Sequence, residues 1–143
     1  MTKEQAVLFG LLQAGLWEKD VDELSYFPLS ADSWQAVYRL ARQQTVSGIV
    51  YRGLSHLPEK FFPPQQLLVR WVALADRIEQ KNRRMNRLLS QLFGCFRLNG
   101  WKVVVQKGQG TASFYEWPLL RECGDIDLYF PDPKAGKAVL SAM

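Results

Sequence analysis

The chain has one histidine and two cysteines among its 143 residues. A single histidine, His56, rules out most histidine-based metal sites and catalytic triads within this chain. Cys95 and Cys123 are far apart and follow no metal-ligand or redox spacing, so they read as reduced thiols of a cytoplasmic protein. No apolar run approaches the roughly 18 residues that cross a bilayer, which argues against a membrane partner. The N-terminus, MTKEQAVLFGLLQAGLWEKD, carries Glu4 early and has no small-residue cleavage site, so it does not read as a signal peptide. Internal repeats and low-complexity tracts are also missing.

What is present is a globular composition, 48% hydrophobic and 22% charged, with a net charge of +4. That balance permits an anionic partner without requiring one. The cations are unevenly spread. Between Gln65 and Asn99 stand Arg70, Arg77, Lys81, Arg83, Arg84, Arg87 and Arg97 against only Asp76 and Glu79. The expected role of this run is the solvated face of a long helix. Trp71, Phe93 and Phe96 lie near these cations but fall on the apolar stripe, so they read as core and not as stacking platforms for bases. Nucleic acid is therefore a possible partner but not the favoured one.

Helical spacing is clear over residues 3–17, with Thr2 as a cap. Ser30 or Asp32 opens a second helix whose Trp34, Val37, Tyr38 and Ala41 share a face. Val46 to Leu54 makes a third, and Phe61 to Pro64 breaks the chain. From about 65 to 98 the apolar residues Leu67, Trp71, Leu74, Ile78, Met85, Leu88, Leu92 and Cys95 recur at three and four, with Lys81 as the interruption. That pattern predicts one amphipathic helix of roughly 50 Å. Residues 1–98 thus form a helical region.

After Asn99-Gly100 the character changes, and residues 99–143 read as the start of a second unit. Trp101 to Gln106 (WKVVVQ) predicts a short strand, Lys107 to Gly110 a glycine turn, and Thr111 to Tyr115 about one helical turn. Asp125 to Phe130 (DIDLYF) predicts an alternating strand, and Asp132-Pro133 starts a helix over Lys134 to Met143. The fold class expected is α+β. A chain ending inside a new helix is expected to be a truncated piece of a longer one.

The chemistry sits in this second unit. On a strand, Asp125 and Asp127 share a face about 6.5–7 Å apart, while Ile126, Leu128 and Phe130 take the other. Paired carboxylates on a rigid element suit hard cations such as Mg²⁺, and two such ions could clamp a phosphoryl transfer. Gly108 and Gly110 let the turn approach a triphosphate, and Lys107 and Arg121 offer positive charge to a departing pyrophosphate. For Arg121, a salt bridge to Asp125 or Asp127 is an equally good expectation. A dinucleotide fingerprint fails because Ser113 replaces the third glycine and Pro118 cuts the helix short. A phosphate-binding P-loop fails because Lys107 precedes its glycine.

The stretch VVVQKGQGTASFYEWPLLRECGDIDLYF resembles the Lys-Gly … Tyr … Arg … Gly-Asp-x-Asp signature of a nucleotidyltransferase family, a divergent branch of the DNA polymerase β-like superfamily. The detailed likeness covers roughly residues 100–131. The helical layout before it, including the Asn82 neighbourhood, is similar as well. The resemblance implies a mixed-sheet core that binds an NTP with Mg²⁺ or Mn²⁺ and transfers its nucleoside monophosphate to an acceptor, whether protein, RNA, sugar or small molecule. Asp125 and Asp127 match the metal ligands. Gly108 matches the glycine of the turn, and Lys107 and Arg121 match further signature positions. Two departures stand out. The turn lacks the superfamily's usual Gly-Gly or Gly-Ser, and the third carboxylate of the superfamily is expected beyond Met143, leaving this chain inactive or nearly so. The rival expectation is a non-catalytic helical interaction module, or a nucleic-acid binder on a degenerate transferase fold.

Overall fold

A computed structural model describes residues 1–142 of the chain. Helix α1 spans Lys3–Trp17 and begins at a reciprocal cap: the Thr2 hydroxyl accepts from the Gln5 N–H, and the Gln5 side chain accepts from the Thr2 N–H. Helix α2 spans Ala31–Gln43, capped by Ser30 and not by Asp32. Helix α3, Ser47–Leu54, follows after a tight turn. A 3-10 turn at Glu59–Phe61 then leads into α4, Gln65–Leu98, a single helix of 34 residues.

The first three helices close around the N-terminal half of α4. Leu11, Trp34, Val37, Val50 and Trp71 are fully buried where they meet. Tyr38 meets Trp71 edge to face, with ring centroids 5.2 Å apart. The Trp71 indole N–H donates to the Ser47 carbonyl at 3.0 Å, so this buried ring leaves its polar atom paired. Each such side chain contributes about 1.5–3 kcal/mol by leaving water. His56 is satisfied here too, 3.1 Å from the Glu18 carboxylate that also takes a two-pronged hydrogen bond from Arg52.

The apolar stripe of α4 is displaced from its expected line in the second half of the helix. Leu88 and Cys95 are exposed, whereas Leu89 and Phe96 are buried. The residue that interrupts the series on the buried face is Asn82, 2% exposed, and not Lys81. A strict three-and-four count can be threaded through either set. At 3.6 residues per turn, Ile78, Asn82, Leu89 and Phe96 hold one face.

Beyond α4 come β1 (Val104–Val105), α5 (Lys107–Ala112), a 3-10 turn at Pro118–Leu120, β2 (Leu128–Tyr129) and α6 (Pro133–Ala142). The architecture is α+β, as expected, with helices predominating and one two-stranded antiparallel sheet. Met143, counted in the sequence as part of the last helix, lies outside the described residues. The Pro118–Leu120 turn folds back onto the helices, seating Leu120 between Ile49 and Ala75. Gly48 makes that approach possible, because a Cβ there would stand 2.2 Å from the Leu120 carbonyl oxygen. Among the described residues no helix is long and apolar enough to cross a membrane.

Candidate active site

The two strands pair with Val104 opposite Tyr129 and Val105 opposite Leu128. The Gln106 N–H donates to the Asp127 carbonyl at 2.9 Å, extending the same register by one residue. Val104, Asp125 and Tyr129 face solvent, while Val105, Ile126, Asp127, Leu128 and Phe130 are half-buried, so exposure alternates at Leu128–Phe130 but not at Asp127. Asp125 and Asp127 fall on the same parity as Tyr129, at the end of the ladder next to the turn. Phe130 anchors the opposite parity by meeting Phe96 of α4 edge to face at 5.4 Å.

Regular pairing is shorter than the alternation predicts. The strands expected over Trp101–Gln106 and Asp125–Phe130 are paired for two residues each, and neither aspartate lies in a regular strand. A two-stranded ribbon has no further strand to extend its ladder. After Gln106 the partner chain turns away into α5, so Asp125 has no strand across from it.

Gly108 makes that turn. Its backbone, φ 49° and ψ −116°, lies in a region that side chains rarely adopt, and a Cβ there would sit 3.0 Å from the Asp125 carbonyl oxygen. The segment expected as a loop from Lys107 to Gly110 followed by a helical turn is instead one short helix bent at Gly108. Gly110 lies within it, 2.9 Å from the Val105 carbonyl measured from an added Cβ. Lys107 is exposed and joins no ion pair among the described residues.

Arg121 does not bridge to either aspartate, so that expectation is corrected. Its Nη1 donates to the Gly108 carbonyl at 3.3 Å and to Cys123 Sγ at 3.2 Å, and the guanidinium lies 5.8 Å from the Tyr115 ring centre. Partial burial works against the charge, but the contacts with Cys123 and Tyr115 outweigh it and the pKa is raised. Arg121 thus ties its own loop to the glycine turn through the backbone.

The residue whose role the sequence pattern does not reveal is Asn82. Its Nδ2 donates to the carbonyls of Leu119 at 2.7 Å and Arg121 at 2.8 Å, and its Oδ1 accepts from Gln109 Nε2 at 3.3 Å. One buried amide therefore joins α4 to both segments that carry the candidate site. Gln109 Nε2 also donates to Asn86 at 3.1 Å, and Lys81 Nζ donates to the Cys123 carbonyl at 3.1 Å. From the other side, Glu122 accepts from the Ser47 N–H at 2.6 Å. The available signal is a polar residue one turn after Ile78 on the buried face.

A cleft of about 340 Å³ opens beside this loop, with Lys81, Asn82, Glu122 and Gly124 in its wall. That volume suits a small ligand. Asp125 and Asp127, which follow Gly124 in the chain, are hard oxygen donors and are not ion-paired among the described residues. The donor chemistry fits Mg²⁺ or Mn²⁺, with remaining positions left to phosphate and water oxygens. Among the described residues no group of three or more His, Cys, Asp or Glu converges, so the pair has no third acidic neighbour there.

A family model described as uncharacterised nucleotidyltransferase matches residues 30–143. No curated protein and no solved structure matches the chain.

Proposed function

The chain belongs to the uncharacterised nucleotidyltransferase family, and from that premise we propose that Asp125, Asp127 and the Lys107–Gly110 turn bind a metal–NTP complex for nucleotidyl transfer. In this reaction an acceptor hydroxyl oxygen bonds to the α-phosphorus of the NTP. The bond from that phosphorus to the bridging oxygen breaks, pyrophosphate leaves, and the hydroxyl proton passes to solvent. Mg²⁺ or Mn²⁺, when bound by the two carboxylates, supplies charge neutralisation at the phosphate oxygens. Lys107 adds a free cation beside the triphosphate. Arg121, already committed to the Gly108 carbonyl, holds the shape of the turn, and Asn82 positions both segments at once. Most of the rate effect in such a reaction comes from positioning and electrostatics.

The observation that carries this reading is the juxtaposition of the Gly108 turn with Asp125 at the end of the β1–β2 ladder, inside a family of nucleotidyltransferases. Free thiols at Cys95 and Cys123 suit a reducing cytoplasm. Because the superfamily chemistry uses a third carboxylate and none joins the pair among the described residues, these 143 residues are expected to bind nucleotide without efficient turnover. Robust metal-dependent transfer by them would overturn that expectation.

The test is calorimetric titration of Mn²⁺–ATP, then of the other NTPs, into the chain and into Asp125→Asn/Asp127→Asn. Metal-dependent binding that weakens at least tenfold in the double variant supports the site. Equal binding by both proteins, or none by either with any NTP, removes it and leaves the helical interaction module as the better account.

A further inference from the structure

A second cluster of cations lies away from the aspartates, where α2 crosses the start of α4. Arg39 and Arg42 of α2 and Arg70 of α4 line one groove of about 440 Å³, together with Gln35, Tyr38 and Gln43. No carboxylate lines it, and none of the three arginines is ion-paired among the described residues. The guanidinium of Arg70 lies 5.4 Å from the Tyr38 ring centre and that of Arg42 lies 6.0 Å from it. The ring is buried, so it orients the two cations without offering a face for a base to stack on.

The groove is one end of a longer feature. At 100° per residue, Arg77, Lys81 and Arg84 fall within about 40° of Arg70 on α4, along a line of about 21 Å. Arg83, Arg87 and Arg97 point at least about 100° away from that line. Lys81 lines the cleft with Glu122 and Gly124, the residue before Asp125 in the chain, about 16 Å along the helix from Arg70. A row of cations at helical repeat, starting in an acid-free groove and ending at the candidate site, matches a ligand with regularly spaced phosphates. Guanidinium forks pair with phosphate oxygens in two-pronged fashion.

We infer that the acceptor for the proposed transfer is a nucleic acid strand, its phosphodiester backbone held by Arg39, Arg42 and Arg70 and led along Arg77 and Lys81 to Asp125 and Asp127. This acceptor assignment rests on the nucleotidyltransferase reading. The strand end supplies the hydroxyl whose oxygen bonds to the α-phosphorus as pyrophosphate leaves. Recognition is by backbone and not by sequence, because the aromatic ring in the groove is covered.

The experiment is fluorescence anisotropy with labelled single-stranded RNA and DNA oligonucleotides of mixed sequence, titrated at several salt concentrations. Mn²⁺–ATP binding is measured separately, so loss of oligonucleotide binding with nucleotide binding intact fails this inference alone. Loss of nucleotide binding instead fails the reading beneath it. The expected result is salt-dependent binding that weakens at least tenfold in Arg39→Gln/Arg42→Gln/Arg70→Gln. The slope of log affinity against log salt should flatten by about two, since each single-strand phosphate contact contributes about 0.7. The control Arg83→Gln/Arg87→Gln/Arg97→Gln removes equal charge from other faces and should change affinity less than threefold. Preference between RNA and DNA then identifies the strand. Equal losses in the two triple variants would overturn the inference by reducing the effect to net charge. So would binding to anionic vesicles or polyglutamate with no binding to either oligonucleotide.

Discussion

Around Trp71 the chain is held by apolar contact, whereas around Asn82, about three turns further along the same helix, it is held by amide hydrogen bonds. The first region buries Leu11, Trp34, Val37 and Val50 with Trp71 and closes four helices on one core. The second has two-residue strands, a six-residue helix and scattered buried positions such as Ala112, Leu120 and Cys123. Hydrophobic burial is non-directional and scales with area, so it sets stability but tolerates small shifts. Hydrogen bonds from a buried amide are directional, and they fix where a loop sits. The molecule thus stores its stability in one half of α4 and the geometry of the candidate site in the other.

The sharpest way to break that comparison is Trp71→Ala. It should destabilise the protein by about 3–5 kcal/mol, read from the urea midpoint. Where the variant is still folded, Mn²⁺–ATP affinity should stay within threefold. A larger loss of affinity would mean that the core and the site are not separable.

Asn82→Leu should show the opposite balance. It keeps the bulk but leaves the Leu119 and Arg121 carbonyls without their donor, at about 2–4 kcal/mol, and should weaken Mn²⁺–ATP binding at least tenfold. If stability falls but affinity holds, Asn82 is a packing residue only. Gly108→Ala tests the same region with less disturbance of the helix. The strained backbone and the 3.0 Å approach to Asp125 predict a loss of about 1–2 kcal/mol with a clear loss of nucleotide affinity.

The smallest expected effect belongs to the helical region. The hydrogen bond from Arg52, and then the contact with His56, hold the Glu18 pKa below its ordinary value against the opposing pull of partial burial. A depressed native pKa means the contribution is complete above the unfolded value of about 4.3. It is lost as pH falls through the lower native value. Urea midpoints at pH 7 and pH 3.5 should therefore fall further for the parent chain than for Glu18→Gln, by under about 1 kcal/mol for a pair this exposed. An equal acid loss in both would assign it to other carboxylates.

Several of these features are legible in the order of residues alone. Thr2 and Ser30 cap their helices as their side chains require, and the long period from Gln65 to Leu98 is one helix. The order strand, Lys-Gly turn, Arg, Asp-x-Asp points to nucleotidyltransferase chemistry, and the chain does match that family. Caps, periods and motifs are properties of neighbours in the chain, which is why they can be read from it. The face of α4 that meets the turn, the partner of Arg121, and the distance over which the strands pair depend on residues brought together from far apart. So does the groove of Arg39, Arg42 and Arg70: α2 and α4 each look like an ordinary charged helix alone. Local chemistry determined the elements and the family. Only packing decided that Asn82 would join the two site segments, because a side-chain amide finds its carbonyls in space and not in sequence.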